Sequence, residues 1–183
     1  MKRNNLIILI SIVSVLLMLI GGTYAWFTWS GSENSNIVLT IGDFAGFVKS
    51  STAINVSNLA PVLDYKSTTA TSDVLVSGTI DTATYNNGVK TTLTLNITSN
   101  TYAGSNSDLK YIVYNKNSDV IVGSGVLNSK TGSVELYTNT TASGTLNLDL
   151  RVYIYIDGTT SNNIELMGKK LVGTLEAKAV SAS

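Results

Sequence analysis

The sequence predicts an all-β fold: an antiparallel two-sheet sandwich of jelly-roll or immunoglobulin-like type, preceded by an N-terminal signal or transmembrane helix. Three observations indicate this fold. Beyond the leader, apolar and polar residues alternate with a period of two, as in strands with one face in a core and the other in water. The connections are short and polar and contain Asn-Gly, Asp-Gly and Lys-Thr-Gly, which suit hairpin turns. No segment after the leader has an apolar stripe at helical spacing.

The N-terminus has the pattern of an export signal. A short basic start precedes an unbroken apolar run, Leu6–Ile20, and two glycines follow. A positive start, an apolar segment and small residues before a cut define a secretory signal peptide. With Thr23 and Ala25 at the −3 and −1 positions, we expect cleavage before Trp26. Residues 1–25 are therefore the predicted signal peptide.

An uncleaved membrane anchor is the alternative interpretation of the leader. A spanning helix needs about 20 apolar residues, and residues 6–29 reach that length with Trp26 and Trp29 at the lipid–water interface. Both interpretations place the rest of the chain outside the membrane, secreted or at the cell surface. The predicted organisation is a leader at 1–25, an N-terminal segment at 26–36 and one sandwich domain at 37–183.

The clearest alternation predicts three long strands. In Thr145–Asp157, every second residue is Leu, Val or Ile, so these apolar side chains share one face of a strand. Lys90–Thr98 and Lys170–Val180 repeat the pattern. Gly123 and Gly125 inside one predicted strand indicate a bulge or a bend. The shorter predicted strands are Asn36–Ile41, Thr52–Val56, Val74–Ile80, Leu109–Tyr114, Asp119–Leu127 and Ser133–Tyr137.

The composition excludes most classes of enzyme. The chain has no cysteine and no histidine, so it cannot build a thiol nucleophile, a Ser-His-Asp triad or an HExxH zinc site. Its acidic residues are scattered singly, without a pattern that pairs two carboxylates. Twelve basic residues balance twelve acidic ones, and no basic stripe suits nucleic acid. We expect no enzymatic activity, no cofactor, no metal site and no nucleic-acid partner.

Three short stretches of the sequence also carry a resemblance to a known family. They are Gly21–Phe27 (GGTYAWF), Ile54–Pro61 (INVSNLAP) and Gly168–Ala177 (GKKLVGTLEA). They resemble, in turn, the processing region, a strand with its NLxPG turn, and the last strand of the TasA/camelysin family of exported proteins from Gram-positive bacteria. The chain is similar to a distant member, because Val62 replaces the usual glycine and Thr28-Trp29-Ser30 replaces a more polar stretch.

The resemblance implies a function and a way of assembling. Family members have a jelly-roll fold, are cut by a dedicated SipW-type signal peptidase, and serve as structural subunits of extracellular or biofilm matrix, some as fibres. Assembly is thought to pass an N-terminal strand of one subunit into the sheet of the next, and strand addition of this kind suits an extended apolar segment. The residues implied in peptidase processing are Thr23, Ala25 and Trp26. The candidate inter-subunit strand comprises Trp26, Phe27, Thr28, Trp29, Ile37, Leu39 and Ile41.

Two alternatives stay open at the level of sequence. Trp26 and Phe27 could serve peptidase recognition only, with Ile37–Ile41 as an ordinary first strand. The protein could also be a membrane-anchored or surface-displayed module that binds a glycan or a protein through exposed Tyr137, Tyr153 and Tyr155. The metalloprotease activity described for camelysins is not expected, because histidine and cysteine are missing.

Overall fold

The computed structural model describes residues 35–41, 48–80, 86–102, 109–159 and 168–182, together with the single residues Ser14 and Ala83. The chain divides into two compact units, Met1–Gly31 and Ser32–Ser183. Within the first unit only Ser14, a helical residue, is described. The predicted leader, its cleavage site and the segment Trp26–Trp29 therefore lie outside the described residues. In the described part of the chain, no helix has the length and apolar character needed to cross a membrane.

The second unit consists mainly of β-strands, as predicted. All nine predicted strands are found, and the two-residue strand β3 is additional. A 3-10 helix at Tyr65–Ser67 lies between β3 and β4. The strands are β1 (Ser35–Ile41), β2 (Val48–Ser57), β3 (Pro61–Val62), β4 (Thr71–Ile80), β5 (Val89–Asn100), β6 (Leu109–Asn115), β7 (Val120–Val126), β8 (Gly132–Thr141), β9 (Gly144–Asp157) and β10 (Lys170–Ser181).

The strands form two sheets. Sheet A has the order β1-β4-β9-β6-β7, with β3 also paired to β9, and sheet B has the order β2-β10-β5-β8. Sheet B is antiparallel throughout. In sheet A, β1 is parallel to β4 and β3 is parallel to β9, which corrects the prediction of wholly antiparallel sheets. Parallel neighbours need a crossover connection, and the passage of the chain through β2 in the other sheet supplies it between β1 and β4.

The two sheets enclose one hydrophobic core. Alternate residues of β5, β9 and β10 are buried, so the predicted inward faces of the three long strands are confirmed. The residues between them face outward and are mostly half-buried or exposed. The predicted inward residues, all of them buried, are Leu93, Leu95, Ile97, Leu146, Leu148, Leu150, Val152, Ile154, Ile156, Leu171, Leu175, Ala177 and Ala179. Alternation of this kind in both sheets is the architecture of a sandwich.

Within the described residues, each sheet ends in two edge strands. These are β1 and β7 in sheet A, and β2 and β8 in sheet B. Strand β1 packs beside β2, and β7 packs beside β8. The pairing of β6 with β7 shifts register between Val113 and Tyr114, which makes Val122 the extra residue of a bulge. The bulge predicted from Gly123 and Gly125 is therefore confirmed.

Candidate functional site

The first candidate site is the edge of sheet A at β1. Three of the predicted inter-subunit residues, Ile37, Leu39 and Ile41, lie in this strand. The strand pairs with β4 of the same chain over all seven of its residues, and Ile37 is buried in the core. The structure thus brings these three residues together, whereas the processing and aromatic residues 23–29 lie outside the described residues.

Strand β1 is held in its sheet from one side. Its other edge has no partner among the described strands, while β4 also pairs with β9 over ten residues. The β1 sequence, SNIVLTI, has no charged residue. Parallel pairing is slightly less stable per residue than antiparallel pairing. Removal of β1 would therefore uncover one edge of β4 and leave the other ladders of sheet A intact.

A second candidate site is a group of four aromatic residues on the outer face of sheet A, Tyr65, Tyr114, Tyr153 and Tyr155, which we call the tyrosine cluster. The Tyr153 ring lies edge to face with Tyr65, at a centroid distance of 5.1 Å, and with Tyr114, at 6.4 Å. The ring centres of Tyr65 and Tyr155 are 6.2 Å apart. The Lys66 ammonium lies 4.9 Å from the Tyr114 ring centre, within the range of a cation–π contact.

The tyrosine cluster exists because the loop before β4 folds over the sheet. The 3-10 helix begins where the Asp64 carboxylate accepts a hydrogen bond from the Lys66 backbone N–H, at 3.0 Å. The Thr68 hydroxyl then donates to the carbonyl oxygen of Ile154 in β9, at 2.8 Å. The Ile154 backbone N–H in turn donates to the carbonyl oxygen of Ala70, at 2.9 Å. These bonds hold Tyr65 above the outer face of β9.

The expectation that Tyr137, Tyr153 and Tyr155 are exposed is wrong. Tyr153 points outward from its strand, but it is only 7% exposed because Tyr65 and Tyr114 pack on it. Tyr137 lies in sheet B, half-buried against the core, where β8 shifts register against β5. Of these three tyrosines, only Tyr155 combines partial exposure with a place in the cluster.

Charged residues beside the tyrosine cluster pair with one another. The Arg151 guanidinium donates to both carboxylate oxygens of Asp73, at 2.6 and 2.8 Å. Lys116 bridges Asp149, at 2.5 Å, and Asp73, at 3.6 Å. The hydrogen bonds from Arg151 hold the pKa of the Asp73 carboxyl below its usual value. The network therefore links β4, β9 and the turn after β6 through paired charges.

Neither a metal centre nor a family match identifies the function. Within the described residues, no group of three or more acidic side chains is placed to hold a metal ion. No protein-family model matches the chain, and no curated protein matches it. The geometry of the strand edges and of the tyrosine cluster is what bears on function.

Proposed function

We propose that this protein is an exported structural subunit of an extracellular or biofilm matrix or surface fibre, and that its copies join by strand addition beside β4. The N-terminal region of one copy, Trp26–Trp29 together with β1, enters sheet A of the next copy. The proposal includes export through the leader, processing by a dedicated signal peptidase, distant kinship with the TasA/camelysin family and no enzymatic activity. The observation that carries it is the direct parallel pairing of β1 with β4.

The strand order supports the jelly-roll type over the immunoglobulin-like type. An eight-stranded jelly-roll is two Greek keys in two sheets. If its strands are numbered along the chain, one sheet contains the second, seventh, fourth and fifth strands in that order. The other sheet contains the first, eighth, third and sixth strands. With β3 and the β6–β7 hairpin set aside, sheet B of this chain reproduces the former order as β2-β10-β5-β8. Sheet A reproduces the latter as β1-β4-β9, without an eighth strand among the described ones.

The place of that eighth strand is the edge of β4 that β1 occupies here. In a complete jelly-roll the eighth strand runs antiparallel to both neighbours, so the first and third strands are parallel to each other. Strands β1 and β4 have this parallel orientation and pair directly. A strand arriving antiparallel to β4 would make pairs that are more stable per residue than the parallel ones. Backbone bonds would supply affinity, and pockets for alternate side chains would supply specificity.

A covalent lock between β1 and β4 tests the proposal. The chain has no cysteine, so Val38→Cys with Leu75→Cys, which are opposite each other in register, introduces one defined disulfide. Neighbouring strands lie about 4.8 Å apart, within the span of a disulfide. The oxidised variant should stay monomeric under conditions in which the parent chain forms fibres, as seen by electron microscopy and sedimentation. Reduction should restore assembly.

The matched control is a lock in the centre of sheet B. Thr92→Cys with Lys178→Cys joins β5 to β10, which are also opposite in register. This variant should assemble like the parent chain, oxidised or reduced. Fibres formed by the oxidised β1–β4 lock at the parental rate would overturn the proposal, and so would a parent chain that never assembles.

A surface-displayed binding module is the second candidate function, and one observation favours it. Tyr65 and Tyr155 are half-buried and pack on each other, and the ammonium of the exposed Lys66 lies 6.0 Å from the Tyr65 ring centre. Tyrosine offers an apolar ring and a polar tip, a combination common at binding interfaces. A glycan-array signal that is lost in Tyr155→Ala and kept in Tyr137→Ala, on the other sheet, would support this function. No signal from the parent chain would remove it.

A further inference from the structure

The edge of sheet A opposite β1 is a third surface, and the proposed function does not use it. Its strand, β7, pairs with β6 alone among the described strands. The sequence VIVGSGV has no charged residue and no proline. Val120, Ile121 and Val126 are 49%, 50% and 47% exposed. Exposed apolar edge strands without charge are sites for pairing with another strand.

The two edge strands of sheet B differ from β7 in charge. The edge strands of sheet B each carry an exposed charged residue, Lys49 in β2, which pairs with Glu176 at 2.6 Å, and Glu135 in β8. Such charges oppose edge-to-edge pairing. Apart from the three β7 residues, Leu63 is the one large apolar side chain of the described residues that is comparably exposed, at 86%. Among the described side chains, exposed apolar surface is therefore concentrated on β7, an edge strand that carries no charge.

Two glycines allow the backbone of β7 to lie close to its neighbours in the sandwich. A Cβ on Gly125 would lie 2.7 Å from the Tyr111 ring, and a Cβ on Gly123 would collide with the carbonyl oxygen of Leu136 in β8. The backbone of β7 can approach this closely because both positions lack side chains. The neighbouring bulge leaves Ile121 opposite Tyr114 on the outer face. The strand is thus a fixed part of the sheet, and its unpaired edge faces away from β6.

Two lysines near β7 form ion pairs within the chain, whereas the exposed Asp119 directly precedes the strand. Lys110, which is opposite Val126 in register, binds Asp157 at 2.7 Å. Lys116, in the turn before β7, binds Asp149 at 2.5 Å. Charge complementarity selects partners across an interface, and the strand β7 itself offers no charge to a charged partner. It fits a partner edge that is also uncharged and apolar, and a second copy of the chain presents such an edge.

We propose that β7 is a homotypic docking surface, where β7 of a second copy pairs edge to edge and joins two A sheets into one. A two-fold axis gives both copies the same interface, the commonest symmetry of homo-oligomers. Because β7 has no charge, self-pairing opposes no like charges. The contact would cover the apolar side chains Val120, Ile121 and Val126. Since β1 and β7 lie at opposite edges of sheet A, the β7 contact would link chains laterally and is independent of addition beside β4.

Sedimentation equilibrium of the full chain, expressed with its own leader and carrying the oxidised β1–β4 lock, tests the docking surface. The lock blocks strand addition beside β4, so chains can associate only through other contacts. We expect a monomer–dimer equilibrium whose Kd rises about tenfold or more in Val120→Lys, because the new charge opposes edge-to-edge pairing and the loss is that of an important interface residue. The matched control is Leu63→Lys, which adds the same charge at an exposed apolar residue outside β7 and should leave the Kd unchanged.

A cross-linking measurement gives an independent readout without the lock. Ser124→Cys places the chain's single cysteine at an exposed position on β7, and mild oxidation should yield a disulfide-linked dimer. Ser51→Cys, exposed on β2, should not. Any one of three results would overturn β7 docking. The locked chain could stay monomeric, Leu63→Lys could raise the Kd as much as Val120→Lys, or Ser124→Cys could give no more cross-linked dimer than Ser51→Cys. None of these results would decide fibre assembly beside β4, which the lock tests separately.

Discussion

Replacement of Thr91 by valine is expected to stabilise the sandwich. Thr91 lies on the inner face of β5, 1% exposed, and its hydroxyl has no hydrogen-bond partner within the described residues. Burying an unpaired hydroxyl costs about 1–3 kcal/mol on the scale of protein mutational data. Valine keeps the branched shape and puts a methyl group in place of the hydroxyl, between strands β8 and β10, where Asn139 and Ala179 are opposite in register.

The free energy of unfolding should rise by about 1–2 kcal/mol, because removal of the hydroxyl ends its desolvation cost. For a domain of this size, Tm should rise by about 2–8 °C. Urea denaturation at constant m-value and calorimetry measure the two quantities. Thr92→Val is the matched control: Thr92 faces outward and is only half-buried, so its replacement should change the free energy by less than about 0.5 kcal/mol. A less stable Thr91→Val variant would refute the reasoning, since it would mean that the hydroxyl is hydrogen-bonded, for example to buried water.

Three further predictions concern acid stability, packing at β7 and processing. Because Arg151 holds the pKa of Asp73 below its usual value, this pair stabilises the fold above the unfolded-state pKa of about 3.9. This contribution is lost as the pH falls through the lower folded-state pKa of Asp73. In Asp73→Asn, the free energy of unfolding, measured as a function of pH, should therefore fall less steeply at acid pH. Gly123→Ala sets a Cβ against the Leu136 carbonyl and should lower the free energy of unfolding by about 1–3 kcal/mol in urea titrations, whereas Ser124→Ala should not. N-terminal sequencing of the exported protein should begin at Trp26, and an intact leader in the membrane fraction would instead indicate an anchor.

The long strands could be predicted from the sequence because burial decides their alternation. The strand predicted at Thr145–Asp157 is β9, which spans Gly144–Asp157. The strand predicted at Lys170–Val180 is β10, which spans Lys170–Ser181. Strand β3 could not be predicted, because its two residues join sheet A only by pairing with the far end of β9. A pairing between segments so far apart in sequence leaves no periodic pattern in a stretch this short.

The exposure of the side chains in the tyrosine cluster could not be predicted from the sequence. Alternation correctly places Tyr153 and Tyr155 on the outer face of β9. Whether an outward residue is exposed depends on what covers the sheet, and here the cover is a loop held by the bond from Thr68 to Ile154. The parallel pairing of β1 with β4 is equally hidden, because it follows from the route of the chain through the other sheet.

The central claim is that the N-terminal region of one copy pairs with β4 of the next, and cross-linking between differently labelled chains tests it most directly. One isotope-labelled chain carries Leu75→Cys, and the unlabelled partner carries either Thr28→Cys in the aromatic segment or Val38→Cys in β1. Each chain then holds a single cysteine, so a disulfide can form only between copies. After assembly and oxidation, mass spectrometry should find a disulfide between Leu75→Cys of a labelled chain and one of the two cysteines of an unlabelled chain. As a control, a mixture of Thr92→Cys and Lys178→Cys chains should form no such disulfide. Fibres that contain neither link would contradict the claim.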